Sequence, residues 1–287
     1  MNKGVVLFAH NNRKIDYALM SVISGGFAKK HLKVPVSLIT DSSTLDWMKK
    51  SKIYSKAKSV FDKIILTDRP ETNNNRILYD GLEKDVVPFN NSNRSSVWEL
   101  TPYDRTLLID SDYLIMSQDL SKYWSVDSDL LISSAINDPI GDKRTGYLDK
   151  HVSATGVKLF WATTVMFTKN EKTKKFFETV DLIKEKYNMF SDIYRFSNTQ
   201  YRNDISFSIA KHIFDGFQEL YSYDLPEVLT FTDKDILQEV TKTGDLIFLV
   251  SETFNDNYFP ILIKDRDVHI INKQSITRHS KKLLDLI

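Results

Sequence analysis

The chain has 287 residues, 39 Lys+Arg against 38 Asp+Glu, nine glycines and no cysteine. The absence of Cys excludes disulfides, thiolate metal sites and a thiol nucleophile. A formal charge of +1 gives no global basic field for non-specific nucleic-acid binding. The glycines are scattered, only Gly25 and Gly26 are adjacent, and no phosphate-cradling glycine motif occurs, so any nucleotide phosphate has to be neutralised another way.

At 41% hydrophobic and 27% charged, the composition is that of a globular protein, and the length suits one large α/β domain or two small ones. No apolar run approaches the roughly 18 residues of a membrane span. The expected location is the cytoplasm, or the host cytoplasm if the source is viral. The abundance of Asn, Lys, Ile, Tyr and Asp suits an AT-rich microbial or viral genome.

Residues 4–9 read as a buried strand. Residues 16–30 read as a helix capped by Asp16, with Leu19, Val22, Ile23 and Phe27 on one face. Strands follow at 34–40, 63–67, 105–109 and 130–134. The Asn-rich pieces at 73–75 and 90–93 read as polar loops. Further on, 159–167 reads as a strand, 171–190 as one amphipathic helix and 203–214 as another. Three strand-like pieces close the chain at 246–250, 259–264 and 268–271. Continuous apolar strands alternating with helices imply a mostly parallel central sheet covered on both faces, with a small mixed C-terminal part. Ligands of such sheets bind beyond the carboxyl ends of the strands, where His10, Asp41 and Asp110 fall.

The sharpest feature is Leu107-Leu108-Ile109-Asp110-Ser111-Asp112. Two carboxylates one residue apart follow a buried strand, and their mutual repulsion has to be offset by a cation or by donors. A divalent metal does this and can also bridge a nucleotide's diphosphate. A solvated turn is the plain alternative. Asp127-Ser128-Asp129 repeats the pattern but precedes its strand instead of ending one.

The stretch from Arg94 through Trp98-Glu99-Leu100-Thr101-Pro102-Tyr103 into Thr106–Asp112 resembles GT-A glycosyltransferases of the glycogenin and galactosyltransferase type, glycosyltransferase family 8. Arg94 keeps the family's spacing of sixteen positions before the first Asp, here Asp110. The resemblance implies a single GT-A catalytic domain over 1–287, with a nucleotide-binding half at 1–115 and a sugar and acceptor half with its tail at 116–287. It implies a sugar transferred from a nucleoside diphosphate donor, UDP-linked, with retention. It implies Mn2+, or Mg2+, on Asp110 and Asp112, with Arg94 and Ser111 on the donor. It implies base and ribose contacts at His10, Asn11 and Tyr17, and a nucleotide contact at Asp41.

The Phe160–Met166 segment stands where the family faces the donor sugar, with Trp161 and Thr163 in place of its Asn and Gly. Asp204 matches an Asp that touches the sugar or acceptor, and it reads equally as a helix cap. The family's late His, followed by Gly and Lys-Pro-Trp, is incomplete here. His269, with Lys273 four residues on, is preferred over His279 as third ligand, because a strand end positions a side chain better than a terminus.

Two other readings stay open. One is an inactive glycan- or nucleotide-sugar-binding protein on the same fold. The other is an aspartyl-phosphate phosphatase, although Leu114 stands where that chemistry keeps Thr or Val. The acceptor is not written in the chain: glycan, lipid, protein and modified DNA base are all compatible with it, and so is any oligomeric state.

Overall fold

In the computed structural model, residues 1–12, 14–68, 75–79, 84–88, 93–141, 144, 147–197, 200–218, 224–252 and 257–287 are described. The elements run β1 (Lys3–Ala9), α1 (Tyr17–Leu32), β2 (Val36–Thr40), α2 (Ser42–Lys50), α3 (Tyr54–Val60) and β3 (Lys63–Leu66). A hairpin of β4 (Asn75–Tyr79) and β5 (Lys84–Pro88) comes next, then a 3-10 turn at Arg94–Ser96, α4 (Val97–Leu100), β6 (Arg105–Ile109) and β7 (Tyr113–Leu114). The chain continues through β8 (Leu130–Ser133), β9 (Ile136–Asn137), α5 (Tyr147–Lys150), β10 (Trp161–Thr168), α6 (Glu171–Glu185), α7 (Tyr187–Tyr194) and α8 (Asn203–Phe214). It ends with β11 (Val228–Phe231), β12 (Ile236–Val240), β13 (Leu246–Ser251), β14 (Tyr258–Ile263), β15 (Val268–Ile270), α9 (Lys273–Arg278) and α10 (Ser280–Asp285).

The unbroken apolar strands form the middle of one six-stranded sheet in the order β3-β2-β1-β6-β10-β8. Strands β1, β2, β3 and β6 are parallel, and β10 runs against both its neighbours. Both faces are apolar, as a covered sheet requires. Val5, Leu7, Leu107 and Ile109 point to the side of α1, with Ala18 and Val22. Val6, Phe8, Leu108 and Val165 point to the side of α6 and α8, with Phe176, Val180 and Phe207. The sheet takes β8 and β10 from beyond residue 115, so the two halves read from the sequence share one sheet.

Two smaller sheets lie beside it, β7-β15-β11-β9 and the antiparallel β12-β13-β14. Among the described residues no helix is long and apolar enough to cross a membrane.

Some expectations need correction. Helix α1 is not one-sided: Ala18, Met20, Val22, Ser24, Gly26 and Ala28 are all buried, and Leu19 is only half-buried, because the helix lies between the central sheet and the C-terminal elements. The helix expected over 171–190 breaks at Lys186 (φ −104°, ψ 31°). The break redirects Tyr187 onto Phe196 and Tyr201. Asn75 opens a strand; positions 73–74 and 90–92 of the Asn-rich pieces lie outside the described residues. Helix α2 is an additional element, only nine residues long, that buries Thr44 and Met48.

What starts α2 is Asp41. Its side chain accepts from the Thr44 amide (2.9 Å), Ser43 Oγ (2.5 Å), Thr44 Oγ1 (3.0 Å) and His10 Nδ1 (3.0 Å). Burial pushes this carboxyl up, but the four donors outweigh it and hold it well below the usual carboxylate range. A depressed carboxylate stabilises the fold above its unfolded pKa and loses that contribution as pH falls through its folded value. Asp41→Ala is therefore expected to cost about 1–2 kcal/mol or more at pH 7. The gap between wild type and Asp41→Asn should narrow in urea melts as pH drops below about 4.

Candidate active site

Strand β6 delivers Asp110 and Asp112 through a turn that is anchored on both sides. The Asp110 amide donates to Thr163 O of β10 (3.0 Å), and the Tyr113 amide closes the turn on Asp110 O (3.2 Å). Past the turn, β7 pairs antiparallel with β15, setting His269 opposite Tyr113, and the Ile270 amide donates to Asp112 O (2.9 Å). Strand pairing thus carries His269 to the carboxylates across more than 150 residues of sequence. One ligand atom each from Asp110, Asp112 and His269 lie within 4.8 Å of one another. His269 Nε2 is 3.5 Å from Asp112 Oδ1, and its Nδ1 is buried with no hydrogen-bond partner among the described residues.

Two protein cations sit on the pair. Arg94, 3% exposed, donates from Nη1 to Asp110 Oδ1. Lys273, the first residue of α9, places Nζ 2.6 Å from Asp112 Oδ2. Asn272 caps α9 and donates to Asp235 O (3.0 Å), which fixes where Lys273 starts. The two carboxyls consequently differ. Burial pushes Asp110 up; Arg94 pulls it back, Asp112 pushes it further, and it ends above the usual range. Burial also acts on Asp112, but Lys273 and His269 outweigh it and hold Asp112 well below that range.

These groups line a cavity of about 400 Å³, within the size range of small-molecule sites. Tyr17 and Ser111 also line it. The opposite wall is built by β10 and the start of α8, with Trp161, Ala162, Thr163, Gln200, Arg202, Asn203 and Asp204. Asp204 is not the cap of α8. Arg202 holds that position, and Asp204 instead accepts from the Ala162 amide through Oδ1 (3.0 Å) and faces Arg202 Nη2 through Oδ2 (3.3 Å). The Arg202 guanidinium lies 6.0 Å over the Trp161 ring, whose Nε1 donates to Asp149 O (3.3 Å).

The remaining candidates take supporting positions. His10, Asn11 and Asp41 do not line the cavity. His10 and Asp41 are buried against each other at the ends of β1 and β2. Asn11 Oδ1 accepts from the Ala18 amide (2.8 Å) and its Nδ2 donates to Asp16 (3.1 Å), clamping the loop after β1 onto the start of α1, where Tyr17 enters the cavity. His279 ends α9 and does not line the cavity; burial pushes its pKa down. Gln200 and Arg202 were not anticipated as lining groups. Gln200 has no sequence signal of its own, and Arg202 only opens the Arg202–Ser206 segment whose Asp204 resembles the family's sugar-contacting Asp.

Two carboxylates and an imidazole within reach of one point, with a spare buried ring nitrogen, suit a hard or borderline divalent cation such as Mn2+. Asp110, Asp112 and His269 are the residues that would hold it.

No protein-family model matches the sequence, and no curated protein matches it. Among solved structures, the chain is similar to the apo form of the glycosyltransferase GlyE of Streptococcus pneumoniae TIGR4, at 15% identity and TM-score 0.44, over 81% of this chain and 47% of that one. It is similar to the galactosyltransferase LgtC in complex with donor and acceptor sugar analogues, at 14% identity and TM-score 0.45, over 72% and 70% of the two chains. It is similar to mouse xyloside xylosyltransferase 1 in its apo form, at 8% identity and TM-score 0.45, over 74% and 82%. The chain spans about half the length of the pneumococcal protein.

The Asp204–Ala162 bond ties α8 to β10 across the cavity floor. Asp204→Ala leaves that amide without its acceptor and is expected to destabilise the protein by about 1–3 kcal/mol in urea unfolding. Asp204→Asn retains a carbonyl acceptor and should cost clearly less.

Proposed function

We propose that the chain is a metal-dependent glycosyltransferase, a single catalytic domain that transfers a sugar from a nucleoside diphosphate donor, UDP-linked, with retention of anomeric configuration. The observation that carries this reading is the convergence of Asp110, Asp112, His269, Arg94 and Lys273 on one cavity at the carboxyl end of β6. A divalent cation on the first three, Mn2+ or Mg2+, would neutralise charge on the departing diphosphate. Arg94 and Lys273 are the groups that would meet the phosphate oxygens, Arg94 through a fork and Lys273 as a point charge.

The sugar would lie toward the Trp161 and Asp204 wall. Trp161 offers an aromatic face that shields the reacting carbon from water, and Asp204, held rigid by the Ala162 amide, offers a carboxylate to the sugar hydroxyls. The bond from the anomeric carbon to the phosphate oxygen breaks, and one to the acceptor oxygen forms. The acceptor's proton leaves to the departing phosphate, which stands on the same face in a retaining transfer. Tyr17 lies where the nucleoside would enter, behind the loop that Asn11 clamps.

Release of UDP from a panel of UDP-sugars with Mn2+ tests this reading. Asp110→Asn and Asp112→Asn are each expected to lower turnover by about 100- to 1000-fold, and EDTA should abolish it. UDP binding with no release from any UDP-sugar would instead leave a binding protein on the same fold. Wild-type rates in both Asp variants would refute the proposal.

A further inference from the structure

We infer that Arg94 and Lys273 are resident counter-ions, which Asp110 and Asp112 give up for a divalent cation only when a diphosphate is present to receive them. Metal and diphosphate are then taken up as a coupled pair, and metal alone binds weakly. This rests on the donor reading above.

Among the described residues three carboxylates line the cavity, and each stands against a cation: Arg94 on Asp110, Lys273 on Asp112 and Arg202 on Asp204. These three pairs together carry a formal charge of zero. A divalent cation raises it to +2, and the two charges of a diphosphate diester restore neutrality. A cation entering alone faces carboxylate oxygens already engaged by Lys273 and Arg94, and draws those carboxylates away from two positive groups in a buried place. That is costly where the dielectric is low. A diphosphate entering alone has to pull the same two groups off carboxylates that then repel each other. Each ligand removes the other's penalty.

Arg94 shows that its present contact is not its full complement. It uses Nη1 on Asp110, while Nε and Nη2 are buried without a partner among the described residues. An oxyanion presented to the fork would satisfy donors that Asp110 leaves over.

The test uses the full chain at pH 7.5, where Asp112 stays ionised. Mn2+ binding without nucleotide is read from the loss of the free-ion electron paramagnetic resonance signal. UDP binding in EDTA is read by calorimetry. Lys273→Met is expected to tighten Mn2+ alone by about tenfold and to weaken UDP by about tenfold, effects of opposite sign and of the size usual for coupled sites. Lys273→Arg keeps the charge and should leave Mn2+ affinity within about twofold of wild type.

If Lys273→Met fails to fold, Lys273→Gln carries the same expectation. In the wild type, saturating UDP should raise Mn2+ affinity by about tenfold beyond what Mn2+ and UDP achieve together in solution. Unchanged or weaker Mn2+ binding in the Lys273 variants, with UDP weakened, overturns the counter-ion role and leaves the donor reading standing. No UDP binding by the wild type, with or without Mn2+, overturns both.

Discussion

Two carboxylates one residue apart at the end of a buried strand repel each other, and the surrounding structure is organised around compensating them. Asp112 is buried and Asp110 only partly exposed, so each needs a cation or donors at contact distance. Arg94 comes from the turn before α4, Lys273 from the first turn of α9 and His269 from β15. The C-terminal part of the chain is therefore not an appendage to the central sheet. It brings two of the three groups that make Asp110 and Asp112 tolerable there.

The backbone hydrogen bonds make this arrangement rigid. The Asp110 amide is bound to β10, and the Asp112 carbonyl to β15. Away from the cavity, the His10–Asp41 pair and the Asn11 clamp hold the loop after β1 against the starts of α1 and α2. Asn11, which resembles a ligand contact in the sequence, also clamps the residues on either side of Tyr17. Asp204 likewise ties a helix to a strand through Oδ1, while its Oδ2 faces Arg202.

Much of the central sheet is legible in the sequence, because strands buried on both faces need no alternation to be seen. The runs at 4–9 and 105–109 are of this kind. Helices α2 and α3 are harder to read because they are short, nine and seven residues, and each buries only two side chains. The break at Lys186 is equally silent, since the apolar spacing runs on across it. In the site, Asp110 and Asp112 are marked by their spacing after a buried strand and Arg94 by the family resemblance, whereas Gln200 gains meaning only from the wall it faces.

Without cysteine, any metal in this protein must be held by oxygen and imidazole, and with so few glycines a diphosphate must be met by side chains and metal. Those constraints, and the acidic pair at the end of an apolar strand, were written in the residues. Which histidine joins the pair was not, because it depends on β7 pairing with β15 far along the chain. Nor was the difference between the two carboxyls, with Asp110 raised and Asp112 depressed. It arises from burial, from one guanidinium on the first, and from an ammonium with an imidazole on the second. Only the folded chain sets those distances.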